Sequence, residues 1–398
     1  MSKKTVRDIE LKNKKVIVRV DFNVPLNDSC EITNDKRILA AMPTINYLLE
    51  KNCAVILMSH LGRPKGQVIH GMSLKPVSEY LKKALPNNNV IMADDCIGVN
   101  VKKLAEELKS GEILLLENLR FHKQETDNDD AFAKELSELA EIFVQDAFGT
   151  VHRAHASTQG VTKYLTSVSG LLVEKELRYL GNSLDNPNKP FLAILGGAKV
   201  SDKISVIENL IKKVDSIIIG GAMAYTFLKG LGFNVGNSRV EEDKLDLAKS
   251  LLNLAKEKNV KVLLPIDHII ADKFDENADS KITDNENIQE GWMGLDIGPK
   301  TLDLYTKEII SSKTIVNNGP MGVFEFEKFS NGTIAVVKAL AEATKNGAIT
   351  VVGGGDSASA VKKAGVSKEV SHVSTGGGAS LEFLEGKILP GIASLADK

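Results

Sequence analysis

Four short apolar runs in the first half of the chain are each followed by a turn rich in hydrogen-bond donors. Asp21, Phe22, Asn23, Val24 and Pro25 follow one; Ser59, His60, Leu61, Gly62, Arg63 and Pro64 another; Glu117, Asn118, Leu119 and Arg120 a third; and the stretch 146–149 (DAFG) a fourth, with His152, Arg153, Ala154 and His155 just beyond. A lone arginine is ordinarily a solvated surface group. Three at strand ends together describe an anion site, because guanidinium is a rigid fork of donors matched to carboxylate and phosphate. Arg37 adds to the set: Thr33 or Asn34 reads as the N-cap of a helix through Ile38, Ala41, Ile45 and Leu48, and a cation in a first turn opposes the helix dipole unless an anion lies nearby. The other reading of Arg37 is a local pair with Asp35 or Glu31. His152 and His155 have the spacing of a metal pair, but Arg153 between them repels a cation and no third ligand is suitably spaced. Contact with an anion, or support of Arg153, is the better reading.

The second half carries different chemistry. Seven of the eight arginines precede residue 179, whereas every Gly-Gly run follows residue 195. Gly196, Gly197, Ala198, Lys199, Val200, Ser201, Asp202 and Lys203 lead into a helical pattern through Ile204, Ile207 and Leu210. Small residues and two lysines there suit a phosphate, since amides and ammonium groups converge on it. Gly353, Gly354, Gly355, Asp356, Ser357 and Ala358 fit the spacing of a dinucleotide fingerprint. Asp356, however, puts a negative charge where pyrophosphate would lie, and the next strand ends at Ser374 and Thr375 without an acid for a ribose. A magnesium-nucleotide site, with Asp356 toward the metal, fits better. Gly376, Gly377 and Gly378 open another helix near Ala379. The only Gly-Lys pair, Gly386 and Lys387, is followed by Ile388, so there is no P-loop. Gly220 with Gly221, and the Asn- and Gly-rich stretch 317–323 leading to Phe324 and Glu325, are turn signals that spacing alone does not assign.

Such turns need strands to carry them. Apolar runs fall at 15–20, 54–58, 90–92, 113–116 and 142–144, then at 191–195, 216–219, 260–264, 314–316, 349–352 and 370–373. Runs without alternation suit strands buried on both faces of parallel sheets, whose ligands bind outside the strands' carboxyl ends. The expected fold is α/β: two doubly wound, Rossmann-like domains of parallel sheet joined by a hinge helix. Leucines at helical spacing over 171–184 and the proline-bracketed break at 185–190 (DNPNKP) mark the connection. The domains are then 1–170 and 191–388, with 171–190 between them. A chain of 398 residues has ample length for two such cores. The polar stretch 276–290 reads as a surface loop.

Composition narrows the function classes. A formal charge of -2 with 26% charged residues gives no basic excess for nucleic acid or an acidic membrane surface. Cys30, Cys53 and Cys96 form no paired spacing, which argues against a disulfide framework or structural zinc and suits a reducing compartment. The stretch MSKKTVRDIELKNKK has no apolar signal core and no run approaches a membrane span, so a cytoplasmic protein is expected.

In order along the chain, DFNVPL (21–26), SHLGRPKG (59–66), LLENLRF (115–121), DAFGTVHRAHAS (146–157), GGAKVSDKI (196–204), MGLDIGP (293–299), NGPMGVFE (318–325), GGGDS (353–357) and STGGGASLE (374–382) resemble the motifs of the phosphoglycerate kinase family. Gln145, Val151 and Asn317 depart from its usual residues, none at a position expected to touch a reacting group. The resemblance implies reversible phosphoryl transfer between Mg-ATP and the carboxylate of 3-phosphoglycerate, giving 1,3-bisphosphoglycerate and ADP, by a monomer. It implies that Asp21, Asn23, Arg37, His60, Arg63, Arg120 and Arg153 hold the phosphoglycerate. It further implies that Gly196, Gly197, Lys199, Lys203, Gly220, Gly221, Gly294, Asn318, Pro320, Glu325, Gly354, Gly355, Asp356 and Ser357 contact the nucleotide, with Asp356 on magnesium. Arg37 and Lys203, helped by Gly376, Gly377 and Gly378, would neutralise the transferring phosphoryl. Domain closure follows from that division, and residues 389–398 are expected to return to the first domain. A dinucleotide-dependent oxidoreductase, or a non-catalytic metabolite sensor on the same fold, is the alternative.

Overall fold

Apolar runs with no polar face need cover on both sides, and side-by-side parallel pairing under flanking helices supplies it. In the computed structural model, which describes residues 2–398, β1 (Lys15–Arg19), β2 (Ala54–Met58), β3 (Val90–Met92), β4 (Ile113–Leu115), β5 (Ile142–Gln145) and β6 (Thr166–Ser169) form one such sheet, in the order β3-β4-β2-β1-β5-β6. All pairs are parallel. Every residue of β2 is buried, as are four of the five in β1. β6 was not expected from sequence, because Thr-Ser-Val-Ser offers a single apolar residue; pairing with β5 defines it. The sheet belongs to a unit made of the chain up to Arg178 together with Ile388–Lys398. The returning tail is held by Gly391 N–H on Val151 O (2.9 Å), Ala396 N–H on Ser167 O (2.9 Å) and Lys4 N–H on Ala396 O (2.8 Å).

The helix Lys36–Glu50 buries Ile38, Ala41, Thr44, Ile45 and Leu48 against this sheet's core. Its cap differs from the expectation at Thr33 or Asn34. Asp35 occupies that place and makes no side-chain capping bond, because its carboxylate accepts from Tyr80 Oη at 2.8 Å. Thr33 and Asn34 instead bond Pro25 O and Lys36 N.

The second unit, Tyr179–Lys387, holds β7 (Phe191–Leu195), β8 (Ser216–Ile219), β9 (Lys261–Leu263), β10 (His268–Ala271), β11 (Ser280–Ile282), β12 (Met293–Ile297), β13 (Thr314–Asn318), β14 (Ile349–Gly353) and β15 (His372–Val373). Six of these make a parallel sheet in the order β15-β14-β13-β7-β8-β9. A separate antiparallel sheet, β11-β10-β12, corrects the reading of 276–290 as a plain loop. β11 is an edge strand of exposed or half-buried polar residues, so it carries no apolar signal. The last strand is two residues long rather than four, since Val370 packs into the core outside the pairing.

The connection is helical but interrupted: Leu171–Glu176 is α, Leu177–Gly181 a π turn, and Asn182–Asp185 α again. The first helix has no side-chain cap of its own. Asp146, just after β5, caps it from a distance, its Oδ1 accepting Leu172 N–H at 2.9 Å, while Thr44 Oγ1 takes Leu171 N–H at 2.9 Å. The carboxylate lies over Gly170 so closely that a Cβ there would sit 2.2 Å from Oδ1. Two helices of the second unit use the same device. Asp267 accepts from Lys300 and Thr301 N–H at the start of Pro299–Ser311 (2.9 and 2.7 Å), and Asp296 from Gly332 N–H in Asn331–Lys345 (2.7 Å).

Burial pushes Asp146 up to about 7, against the bonds from Thr44, Leu172 and Val173. The folded protein therefore keeps a proton that an unfolded aspartate releases near pH 4. Asp146's contribution to stability is complete below about pH 4 and is lost as pH rises through 7. Relative to Asp146→Asn, wild-type unfolding free energy should fall by on the order of 2 kcal/mol between pH 5 and pH 8 in urea titrations. Parallel pH profiles for the two proteins would exclude this account.

Candidate active site

In the first unit the loops after β1, β2 and β4 are locked together by side chains. Asn118 is buried; its Oδ1 accepts Leu61 and Arg120 N–H, and its Nδ2 donates to Leu61 O and Met72 O (2.7 and 2.8 Å). Ser59 Oγ accepts Phe22 N–H at 2.9 Å, and Asn23 Oδ1 accepts Gly62 N–H at 2.8 Å. On this frame Arg37 Nη1 donates to Asp21 Oδ1 and Asn23 O, both at 3.0 Å. Its partner is thus Asp21 rather than Asp35 or Glu31: those acids lie near it in sequence, but Asp35 is held by Tyr80 and Glu31 by Asn27. Arg120 is buried and donates to Gly62 O at 2.8 Å.

Beneath these residues lies a charged pair that the sequence reading missed. Arg19, in β1, has no exposed surface. Its Nε donates to Ser157 Oγ (2.8 Å), Nη1 to Val20 O (2.6 Å) and Nη2 to His60 Nδ1 (3.1 Å), and Glu125 Oε1 is 4.0 Å away. Since guanidinium only donates, His60 Nδ1 is an acceptor and its proton sits on Nε2. Burial, then Arg19, Arg120, Arg37 and Arg153, drive the His60 pKa well down, so the ring is neutral. Burial alone would raise Glu125, but His155, Arg19 and Ser157 outweigh it and keep the carboxylate ionised. His155 Nδ1 stands 3.7 Å from Glu125 Oε1, so this histidine supports the buried acid rather than forming a metal pair with His152. A charged residue inside an otherwise apolar strand was the available signal for Arg19.

Cations outnumber acids here. Arg120 is lowered to about 10 by burial and by Arg19, Arg153 and Arg63, with only Glu125 opposing. Among the described residues neither Arg63 nor Arg153 pairs with a carboxylate; Arg153 Nε donates to His152 Nε2 at 3.2 Å. The loops therefore form a basin whose cations repel one another until an anion arrives.

In the second unit the turns after β7 and β13 touch backbone to backbone. A Cβ on Gly196 would lie 2.0 Å from Pro320 O, and one on Gly319 2.2 Å from Gly196 O, so only glycine permits this contact. Beside it is a cavity of about 620 Å³, lined by Gly196, Gly197, Lys199, Lys203, Asn318, Pro320, Gly354, Gly355, Asp356, Ser357, Gly377 and Gly378. Lys203 donates to Asn318 Oδ1; burial lowers its pKa, while Asp202, Asp356 and Glu385 oppose. The helix begins at Ile204, so Lys199 lies in the preceding turn and the two lysines reach the cavity without sharing a helical face. Asp356 sits in the first turn of Gly355–Lys363 and makes no hydrogen bond or ion pair among the described residues. The single convergence of three potential metal-ligating side chains among those residues is elsewhere, at Asp95, Cys96 and His122.

A second, largely apolar cavity of about 510 Å³ shares Gly197, Ala198, Pro320 and Asp356 with the first. Gly221, Gly294 and Glu325 line it, as do Tyr225, Arg239, Phe274 and Met293, which the sequence reading did not single out. Gly220 and Gly376 line neither cavity. A Cβ on Gly220 would meet Met321 Sδ at 2.4 Å, and the amide of Gly376 is held by Ser374 Oγ at 3.1 Å. Gly377 and Gly378 are the members of that run at the cavity wall.

Removing the charge of Glu125 would leave Arg19 buried with only the weaker influence of Asp21 to offset it, and breaking a buried pair typically costs about 3–5 kcal/mol. Glu125→Gln should lower unfolding free energy by that order in denaturant titrations. An unchanged midpoint would mean that the buried pair is not ionised.

A family model described as phosphoglycerate kinase matches residues 6–387. The chain is 58% identical over 398 residues to a phosphoglycerate kinase of Chloroherpeton thalassium, covering all of both chains, and 57% identical to one of Clostridium tetani, covering 100% of this chain and 98% of that one. Among solved structures, phosphoglycerate kinase from Coxiella burnetii superposes with a TM-score of 0.91 at 42% identity, and that from Pyrococcus horikoshii with 0.78 at 32%, each covering 98% of both chains. The chain belongs to the phosphoglycerate kinase family, glycolytic enzymes that transfer a phosphoryl group between ATP and 3-phosphoglycerate.

Proposed function

We propose that the first unit holds 3-phosphoglycerate in the basin of Asp21, Asn23, Arg37, His60, Arg63, Arg120 and Arg153, and that the second holds Mg-ATP across its two cavities. The observation that carries this division is the joining of an apolar pocket to a glycine-walled, lysine-bearing cradle in one unit, while the crowded, acid-poor guanidinium cluster lies in the other. A base ring suits the first cavity and phosphates the second. Asp356, an unpaired carboxylate common to both, suits magnesium, which is usually held by one or two carboxylates and the substrate's phosphates. When bound, the ion would offset charge on the phosphates.

The reaction places a simple demand on the chain. A carboxylate acceptor is ionised at neutral pH, so no general base is needed, and none is evident. Charge on the transferring phosphoryl must instead be neutralised by groups already in place. Arg37, oriented by Asp21, and Lys203, oriented by Asn318, fill that role from the two units, with the amides of Gly377 and Gly378. Because acceptor and donor groups belong to different units, transfer requires the units to close, and the interrupted helix Leu171–Asp185 is the natural hinge. One chain contains both ligand sets, so a monomer suffices. Three free cysteines suit a reducing cytoplasm, and among the described residues no helix is long and apolar enough to cross a membrane.

A coupled assay should detect ADP release that depends on 3-phosphoglycerate, with kcat reduced about 10²–10³-fold by Arg37→Ala and by Lys203→Ala. Full activity in both variants would remove the roles given to these residues. Small-angle scattering should show a smaller radius of gyration with both substrates than with either alone; an unchanged radius would count against closure.

A further inference from the structure

The second unit contains a single arginine, Arg239, and it lines the apolar cavity. Its side chain is exposed and, among the described residues, has no hydrogen bond or ion pair. The acids that follow it are engaged elsewhere: Glu241 Oε1 accepts from Ser201 Oγ at 2.5 Å, and Glu242 pairs with Lys229 at 2.5 Å. The backbone around Arg239 is fixed, since Asn237 N–H donates to Trp292 O (2.8 Å), Ser238 Oγ accepts Gly294 N–H (2.9 Å) and Glu241 N–H donates to Thr226 Oγ1 (3.1 Å). A fixed backbone thus presents an unpartnered cation at an apolar cavity.

Phe274 lines the same cavity and is 63% exposed, with a ring contact to Phe326 at 5.2 Å. A large exposed aromatic beside an unpaired guanidinium is a combination that a flat, electron-rich ring would satisfy. The ring covers the phenyl group, and its π face attracts the cation. Tyr225, the other aromatic of the lining, is buried, so Phe274 is the ring open to such a partner.

We propose that Arg239 recognises the purine base of the nucleotide through its guanidinium, and so sets base affinity at this site. The inference rests on the reading of the apolar cavity as the base pocket. Arginine is suited to the task because its planar group stacks on aromatic faces while an N–H at its edge can donate to the N7 acceptor of adenine, whereas lysine's compact ammonium cannot stack.

The test compares wild type, Arg239→Leu and Arg239→Lys for binding of ADP and of inorganic tripolyphosphate by calorimetry, with steady-state kinetics for ATP. Arg239→Leu keeps the lining apolar and alters an exposed side chain, so the fold is retained. A contact of this kind predicts about 3- to 10-fold weaker ADP binding, unchanged tripolyphosphate binding, and a raised KM for ATP at unchanged kcat. Arg239→Lys should recover less than half of the loss. Unaltered ADP affinity in Arg239→Leu would overturn the proposal, as would an equal loss for ADP and tripolyphosphate, which would place the guanidinium on phosphate. If wild type bound tripolyphosphate but discriminated no base, with ADP no tighter than tripolyphosphate, the base-pocket reading itself would fall.

Discussion

A guanidinium sealed from water is the constraint around which the first unit's site is built. Arg19 cannot lose its proton readily and cannot be left unpaired, so Ser157, Val20, His60 and Glu125 must all stand where they do. Each belongs to a different stretch of chain, and each stretch carries a residue of the anion basin nearby. His60 is itself a basin residue. Glu125, in the short helix Lys123–Asp127, follows Arg120 by five residues, and Ser157 closes the loop that bears Arg153. Holding one buried charge therefore fixes the positions of the basin residues, and His60 is kept neutral first by its burial and then by the surrounding guanidinium groups.

The second unit reaches its site by subtraction. Where the first unit brings side chains together, the turns after β7 and β13 come into contact because neither has a side chain to prevent it. Polar backbone is thereby exposed along one wall of the cradle, and Lys203 is drawn toward Asn318. On the proposed division of ligands, the two strategies answer two needs: a small anion met by discrete cations, and a nucleotide met by a groove with an apolar end.

The architecture and the donor-rich turns after the first unit's strands were largely legible in the sequence, for a shared reason. Strands buried on both faces are nearly uniform in hydrophobicity, and the residues that follow them stand out against that uniformity, as Asp21, His60 and Arg120 do. What escaped detection depends on tertiary contact. Arg37 and Asp21 are sixteen residues apart, with nearer acids that local reasoning prefers. Glu125 reads as an ordinary helical glutamate until burial is known. β11 pairs at an edge with no apolar pattern, and Arg239 and Phe274 are isolated in sequence from any motif, sharing only a cavity. Within one glycine run the members differ in surroundings, which spacing does not reveal: Gly377 and Gly378 line the cavity, while the amide of Gly376 is held by Ser374.

The tail formed by Ile388–Lys398 bonds to Val151, Ser167 and Lys4, and this has a consequence for biosynthesis. The first unit is discontinuous in the chain, so while a ribosome is making the second unit, β6 and the segment before it lack their final covering. Early-made strands must wait, partly uncovered, until the whole second unit has emerged, and the window in which they are open to mispairing or to a chaperone is set by translation speed rather than by their own folding rate. Synonymous codon changes within the second unit would therefore act on the yield of the first.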